Sequence, residues 1–293
     1  MNVGIDAISF YSSNYFLDLK TLGEVRGVDP DKYYVGIGQE KMAIPPPDED
    51  IVTMGASAAL PIIQREGKDR IEMLLFATES GIDQSKAAGV FVHGLLQLPA
   101  RCRTVELKEA CFSGTAALHL AAAWVKANPT SRVLVVAADV ARYELGSPGE
   151  PTQGCGAVAM LITANPRIMA LDAEVGMYTE DVMDFWRPNY RDQALVDGKY
   201  STRIYLQSLQ ECWQQYRAQS GRDVGDLYRY CYHLPFTRIA EKAHERLAKA
   251  SGVTLTDEQM TEQIGGALSY NKRTGNSYAA SLYVGLTCLL DTS

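Results

Sequence analysis

The chain of 293 residues contains no apolar run close to the roughly 18 residues that a bilayer-crossing helix needs, so no membrane span is expected. Its first residues, MNVGIDAISF, lack the basic start, apolar stretch and cleavage site of a secretory leader. There is no excess of positive charge: 28 Lys and Arg stand against 35 Asp and Glu, a net charge of −7. Without a basic footprint for a phosphate backbone, a nucleic-acid partner is not expected. The six cysteines (Cys102, Cys111, Cys155, Cys212, Cys231 and Cys288) include no CxxC pair and no regular framework, and most lie in apolar stretches as buried free thiols do. A reducing, cytoplasmic setting follows. Walker A, HExxH and zinc-type spacings are absent, so no metal is implied.

What is present is ordinary globular material, with 46% apolar residues, 12 Pro and 24 Gly. That is enough for one large domain or two of medium size, without disulfide or metal staples. Hydrophobic patterning predicts strands over 3–9, 73–78, 104–109, 132–140 and 156–163, and helices over 17–28, 50–66 and 115–127. The second half opens with a polar, Trp- and Tyr-rich stretch over 178–205. Helices are then predicted over 205–218, 236–250 and 278–290. The last of these is entered from a Gly-containing turn, as the Ala-rich helix after Cys111 is, which suggests a structural duplication. Two strands should then follow residue 290; the chain stops at Ser293, so it looks C-terminally incomplete.

Three residues stand out for chemistry. Cys111 lies where a strand hands over to the Ala-rich helix, in Glu106-Leu-Lys-Glu-Ala-Cys111-Phe-Ser-Gly-Thr115. The positive end of the helix and free backbone N–H groups there should lower its pKa and favour a nucleophilic thiolate, although a packed structural thiol fits the same position. His233, in Tyr232-His-Leu-Pro-Phe236, is the best placed of four histidines to serve cysteine chemistry. Glu79 follows an apolar strand, where a carboxylate can be aimed into a cleft and its pKa raised by burial. Gly154-Cys-Gly156-Ala-Val-Ala159 fits GxGxxA but leads into a strand instead of opening a helix, which argues against a dinucleotide site.

In these contexts and this order, Glu79, Cys111 and His233 resemble the 3-hydroxy-3-methylglutaryl-CoA (HMG-CoA) synthase family, in its bacterial mevalonate-pathway form, within the thiolase superfamily. The resemblance runs along essentially the whole chain. It includes Gly36-Ile-Gly-Gln39, Asp48-Glu-Asp-Ile-Val52, Glu150-Pro-Thr-Gln-Gly154, Asp184-Phe-Trp-Arg-Pro188, Val196-Asp-Gly198, His233-Leu-Pro-Phe236 and Gly275-Asn-Ser-Tyr278.

It implies an α/β thiolase-like fold of two similar α-β-α halves with mixed five-stranded sheets, residues 1–165 carrying Glu79 and Cys111, and 166–293 carrying His233 and Asn276, with the end of the second half missing. It also implies an acyltransferase. Cys111 would take acetyl from acetyl-CoA, Glu79 would deprotonate the acetyl methyl group, and His233 would hold and polarise acetoacetyl-CoA. Thr152, Ser201 and Asn276 would line the acyl and acceptor pocket, with Tyr143 near the acetyl group. Asp29, Arg238 and Lys242 would lie along the coenzyme A tunnel. No cofactor is implied beyond coenzyme A thioesters as substrates, and a homodimer is. The Phe-Ser-Gly-Thr-Ala run after Cys111 is compatible with polyketide-pathway relatives that act on acyl carrier protein, the alternative reading; a noncatalytic scaffold is a third.

Overall fold

The computed structural model describes residues 1–292. Strand β1 (Val3–Tyr11) is followed by β2 (Phe16–Asp18), α1 (Leu19–Arg26), α2 (Asp31–Tyr34), β3 (Lys41–Ala43) and α3 (Ile51–Glu66). Then come β4 (Ile71–Ala77), α4 (Ala88–Leu95), β5 (Arg103–Leu107), α5 (Ser113–Ala127), β6 (Arg132–Val140) and β7 (Cys155–Ala164). The short strands β8 (Met169–Ala170), β9 (Phe185–Trp186) and β10 (Leu195–Val196) lead to α6 (Gly198–Ser220) and α7 (Arg238–Ala250). The last elements are α8 (Asp257–Ile264), α9 (Asn271–Thr274) and α10 (Ser281–Thr292).

A mixed sheet in the order β5-β4-β6-β7-β1-β8 forms the centre. Strands β5, β4 and β6 run parallel, and β7, β1 and β8 pair antiparallel. Both faces are covered, so the strands read as continuous apolar runs whose alternate residues go to opposite sides. Leu74, Phe76, Leu134 and Val136 pack under α3 and α4, while Met73, Leu75, Val133 and Val135 pack under α5 and α10. Helix α3 starts where Asp50 caps it, its carboxylate accepting from the Val52 and Thr53 N–H groups at 2.9 and 2.8 Å. Helix α1 stops at Gly27, whose φ of +64° provides the left-handed turn.

The segment after β8 packs α6, α7 and α8 around Trp213, Tyr230, Tyr232 and Leu247. Among the described residues it forms no second five-stranded sheet: its only strands are the two dipeptides β9 and β10, and α10 lies on the first sheet beside α5. Its run of apolar residues is divided among helices, which leaves no stretch long enough to pair. No described helix is long and apolar enough to cross a membrane.

Candidate active site

The parallel trio β5-β4-β6 determines where chemistry can gather. Its carboxyl ends lie side by side, so the residues that follow β4 (Thr78-Glu79-Ser80), the turn after β5 (108–112) and the end of β6 (Asp139) converge on one edge of the sheet. There the Cys111 Sγ donates to Glu79 Oε1 at 3.2 Å. Both residues are half-buried.

Cys111 sits on a strained turn: Ala110 before it has a φ of +46°, and Ser113 Oγ closes the turn by donating to the Ala110 carbonyl at 2.8 Å. The expected thiolate is not what this turn produces. Burial, then the charge of Glu79 and the hydrogen bond to it, hold the Cys111 pKa well above its ordinary value. These effects outweigh the helix end, so the resting Cys111 is a neutral thiol whose proton points at the Glu79 carboxylate.

Glu79 is held by a residue that no sequence pattern singled out. Asp139 is fully buried and accepts five hydrogen bonds, from Thr78 Oγ1 (2.7 Å), the Glu79 N–H (2.9 Å), the Ser80 N–H (2.9 Å), Ser80 Oγ (2.7 Å) and the Ala279 N–H (3.0 Å). It fixes the turn that carries Glu79 and ties that turn to the entrance of α10. Desolvation, then the nearby Asp139 charge, raise the Glu79 pKa, while the Cys111 thiol and Arg187 pull it back. Asp139 itself is raised by burial against its five donors. Arg187 Nη2 also donates to the Glu79 carbonyl at 2.5 Å. The only trace of Asp139 in the sequence is a lone charge inside the apolar strand RVLVVAADV.

Tyr143, Phe185 and Tyr278 form an aromatic cluster packed beside Cys111, with ring centroids 5.6–6.3 Å apart in edge-to-face pairs. The Tyr278 hydroxyl is buried without a hydrogen-bond partner. Asn276, also buried, accepts from the Tyr278 N–H at 2.8 Å through Oδ1, and its own N–H donates to the Thr152 carbonyl at 2.9 Å. That contact depends on two glycines: a Cβ on Gly275 would lie 1.9 Å from the Gln153 carbonyl oxygen, and one on Gly154 would lie 2.1 Å from that of Thr274.

His233 arrives from the helical side. Its carbonyl accepts from Tyr205 Oη at 2.9 Å, and Tyr205 is near enough to Cys111 to sense charge on its sulfur. Burial lowers His233 to about 4, which makes it neutral at physiological pH, and its Nδ1 is buried with no partner.

The remaining predicted residues fall into two groups. Tyr143, Thr152 and Asn276 belong to the aromatic cluster beside Cys111 or to its support. Ser201 is half-buried in the first turn of α6, held by its N–H to the Asp197 carbonyl at 2.7 Å. Asp29, Arg238 and Lys242 are exposed. Asp29 accepts from the Asp31 N–H at 3.0 Å, Arg238 pairs with Glu241 at 2.7 Å, and Lys242 lies over the Phe236 ring at 5.9 Å. Buried Gln39 joins this rim together. Its Oε1 accepts from the Thr237 N–H at 3.1 Å and its Nε2 donates to the Asn271 carbonyl at 3.1 Å, while the Arg238 N–H donates to Ile37 at 3.1 Å.

A cysteine on a strained turn before a helix, a carboxylate in contact with it and a neutral histidine, on a mixed α/β sheet, define a carbon–carbon condensing enzyme of the thiolase-like class. Comparison with known proteins narrows the class. The family model described as hydroxymethylglutaryl-coenzyme A synthase N terminal matches residues 1–167, and its C terminal counterpart matches 169–251. The hydroxymethylglutaryl-CoA synthase of Enterococcus faecalis is 44% identical over 294 residues, covering 100% of this chain and 76% of that protein. A crystal structure of HMG-CoA synthase complexed with CoA superposes with a TM-score of 0.95 at 42% identity, over 100% of this chain and 76% of that one. The polyketide biosynthesis 3-hydroxy-3-methylglutaryl-ACP synthase PksG of Bacillus subtilis is 32% identical, over 99% of this chain and 74% of its own length. The chain belongs to the hydroxymethylglutaryl-CoA synthase family.

Proposed function

We propose that this protein condenses acetyl-CoA with acetoacetyl-CoA and water to give HMG-CoA and coenzyme A, the step that feeds the mevalonate route to isoprenoids. The observation that carries the reading is the 3.2 Å hydrogen bond from the Cys111 thiol to Glu79. Glu79 takes the thiol proton as sulfur attacks the acetyl carbonyl, and returns it to the departing coenzyme A thiolate. The acetyl group is then on Cys111, and the Glu79 carboxylate is free to remove a methyl proton; its raised pKa makes it the stronger base for this. The new carbanion attacks the ketone carbon of acetoacetyl-CoA, held by neutral His233, and the resulting alkoxide takes up the proton that Glu79 removed from the methyl group, which restores the Glu79 carboxylate. Water then cleaves the thioester, releasing HMG-CoA and restoring the thiol. Backbone N–H groups of the Cys111 turn stabilise the thioester oxygen as charge develops there. No metal or redox cofactor enters this sequence.

In this reading Tyr143, Thr152, Ser201 and Asn276 shape the acyl and acceptor pocket, and Arg238 and Lys242 supply cations for coenzyme A phosphates near Asp29. The higher identity to a CoA-dependent relative than to the carrier-protein enzyme, 44% against 32%, supports coenzyme A as carrier. Six free thiols support a reducing, cytoplasmic setting. Two copies would pair along β5, the edge strand, where Val105 is exposed and is flanked by exposed apolar residues of α4 (Val90, Leu95) and of α5 and its entrance (Phe112, Leu120).

The test is product analysis by mass spectrometry with acetyl-CoA and either acetoacetyl-CoA or acetoacetyl carrier protein. HMG-CoA formation supports the reading. Product only on carrier protein replaces the substrate, and no product with either refutes the activity. Light scattering of wild type and Val105→Lys checks the dimer, which the substitution should split.

A further inference from the structure

His244 is fully buried in α7, and the chemistry above makes no use of it. Its surroundings lead to the neighbouring histidine that the chemistry does use. Tyr230, Tyr232 and Leu234 are buried in the core formed by α6, α7 and α8, whereas Cys231 and His233 between them are only half-buried, so alternate side chains turn away from that core. The Tyr230 and Tyr232 rings are parallel to within 6°, and His244 packs against both, with centroids 4.5 and 5.9 Å away.

The polar atoms of this cluster form a closed circuit. Tyr232 Oη is 2.8 Å from His244 Nδ1, His244 Nε2 is 2.6 Å from Gln263 Oε1, and the Gln263 carbonyl accepts from the Tyr230 N–H at 2.9 Å. Because Gln263 Oε1 can only accept, Nε2 carries the proton of the neutral ring and Nδ1 accepts from the tyrosine hydroxyl. His233, in contrast, has no protein partner on its buried Nδ1. Its ring is therefore aimed by its backbone, which is held by Tyr205 at its carbonyl, by Ser281 Oγ at both polar groups of Leu234, and by Tyr232 through His244.

We propose that the Tyr232–His244–Gln263 chain positions His233, fixing how segment 230–234 seats on α7 and so how the His233 ring is presented for the acceptor step. His244 is thus a positioning residue. The inference rests on the proposed function for its kinetic readout only. Misplacing a reacting group by an ångström costs on the order of a hundredfold in rate, so a modest release of the segment is measurable.

The experiment compares Tyr232→Phe, His244→Leu and His244→Asn in the full chain, the last retaining an acceptor where Nδ1 lies. Acetylation of Cys111, read by intact mass, should stay within about twofold of wild type, while condensation with acetoacetyl-CoA should fall about ten- to a hundredfold in Tyr232→Phe and His244→Leu, with a raised KM for acetoacetyl-CoA. His244→Asn should recover most of the loss. Independently of any substrate, NMR titration should place His233 near 4 in wild type and closer to an ordinary histidine in Tyr232→Phe, where water reaches the ring. Unchanged condensation with a lower melting temperature, equal loss in both half-reactions, or an unmoved His233 titration would each overturn the proposal. Should His244→Leu not fold, the volume-preserving Tyr232→Phe decides. A wild type that forms no HMG-CoA contradicts the proposed function, while the titration still judges the positioning.

Discussion

At the entrance to α5, Ala110 adopts a φ of +46° three residues before Ser113; at the entrance to α10, Tyr278 adopts +42° three residues before Ser281. The two helices then lie together on one face of the sheet, joined by a 2.8 Å hydrogen bond between Thr115 Oγ1 and Tyr283 Oη. The same backbone device serves opposite ends. Around Ala110 the turn is open, with Phe112 60% exposed, and the residue after the strained position is Cys111, the proposed nucleophile. Around Tyr278 the turn is closed, with Tyr278, Ala279 and Ala280 all buried, and the next residue is an alanine whose N–H is given to Asp139. One entrance presents a thiol, and the other aims a backbone donor at Asp139, which holds the Glu79 turn in place. Strain of this kind costs about 1–2 kcal/mol at each turn and persists because packing around α5 and α10 fixes both.

Removing the base breaks the open entrance most severely. Glu79→Gln should lower condensation about a hundredfold to ten-thousandfold while the Cys111 turn remains folded. The same variant should melt a few degrees higher at neutral pH. A carboxyl whose folded pKa is raised favours the folded state when protonated and loses that advantage as pH rises through the raised value, and an amide has no such loss. Calorimetry beside single-turnover assays checks both.

Cutting the link between the entrances comes next. Asp139→Asn turns an amide toward five donors, and should cost about 2–4 kcal/mol in chemical denaturation together with a drop in turnover. It should also move the pH profile. In wild type the rate falls as pH drops through the Glu79 titration, above the ordinary carboxylate range, because protonated Glu79 cannot accept a proton. With the Asp139 charge gone, that acid limb should shift to lower pH; an unmoved limb would separate Asp139 from the tuning of Glu79.

The smallest effect sharpens the comparison of the two turns. Ala110→Gly relieves a left-handed alanine on an exposed turn and should stabilise the fold by about 0.5–1 kcal/mol in urea titrations, leaving the buried α10 entrance untouched.

Much of this was legible in the sequence. Strand β6 matches its expected bounds, β1, β4, β5 and β7 match within a few residues, and helices α3, α5, α7 and α10 stand where apolar spacing puts them, because the sheet is buried on both faces and each helix has one strong apolar side. The expectation that GxGxxA would be a strand entrance held, since Gly156 lies inside β7. Helix α6 begins seven residues before its predicted start, since its half-covered first turns are rich in Tyr, Ser and Gln and carry little periodicity. The eight-residue helices α4 and α8 escaped notice for lack of length. The contact between Cys111 and Glu79 could be anticipated from their places at strand ends. The direction of the thiol pKa could not, because it depends on burial and on a carboxylate 32 positions away. Asp139 and the Tyr232–His244 pair are long-range arrangements that no local pattern encodes.

The measurement that tests the central claim most directly is intact mass of the purified protein before and after acetyl-CoA, with Cys111→Ala beside it. The account predicts a gain of one acetyl group in wild type, none in Cys111→Ala, and loss of the label when acetoacetyl-CoA is added. No gain in wild type, or a gain that survives in Cys111→Ala, would contradict it.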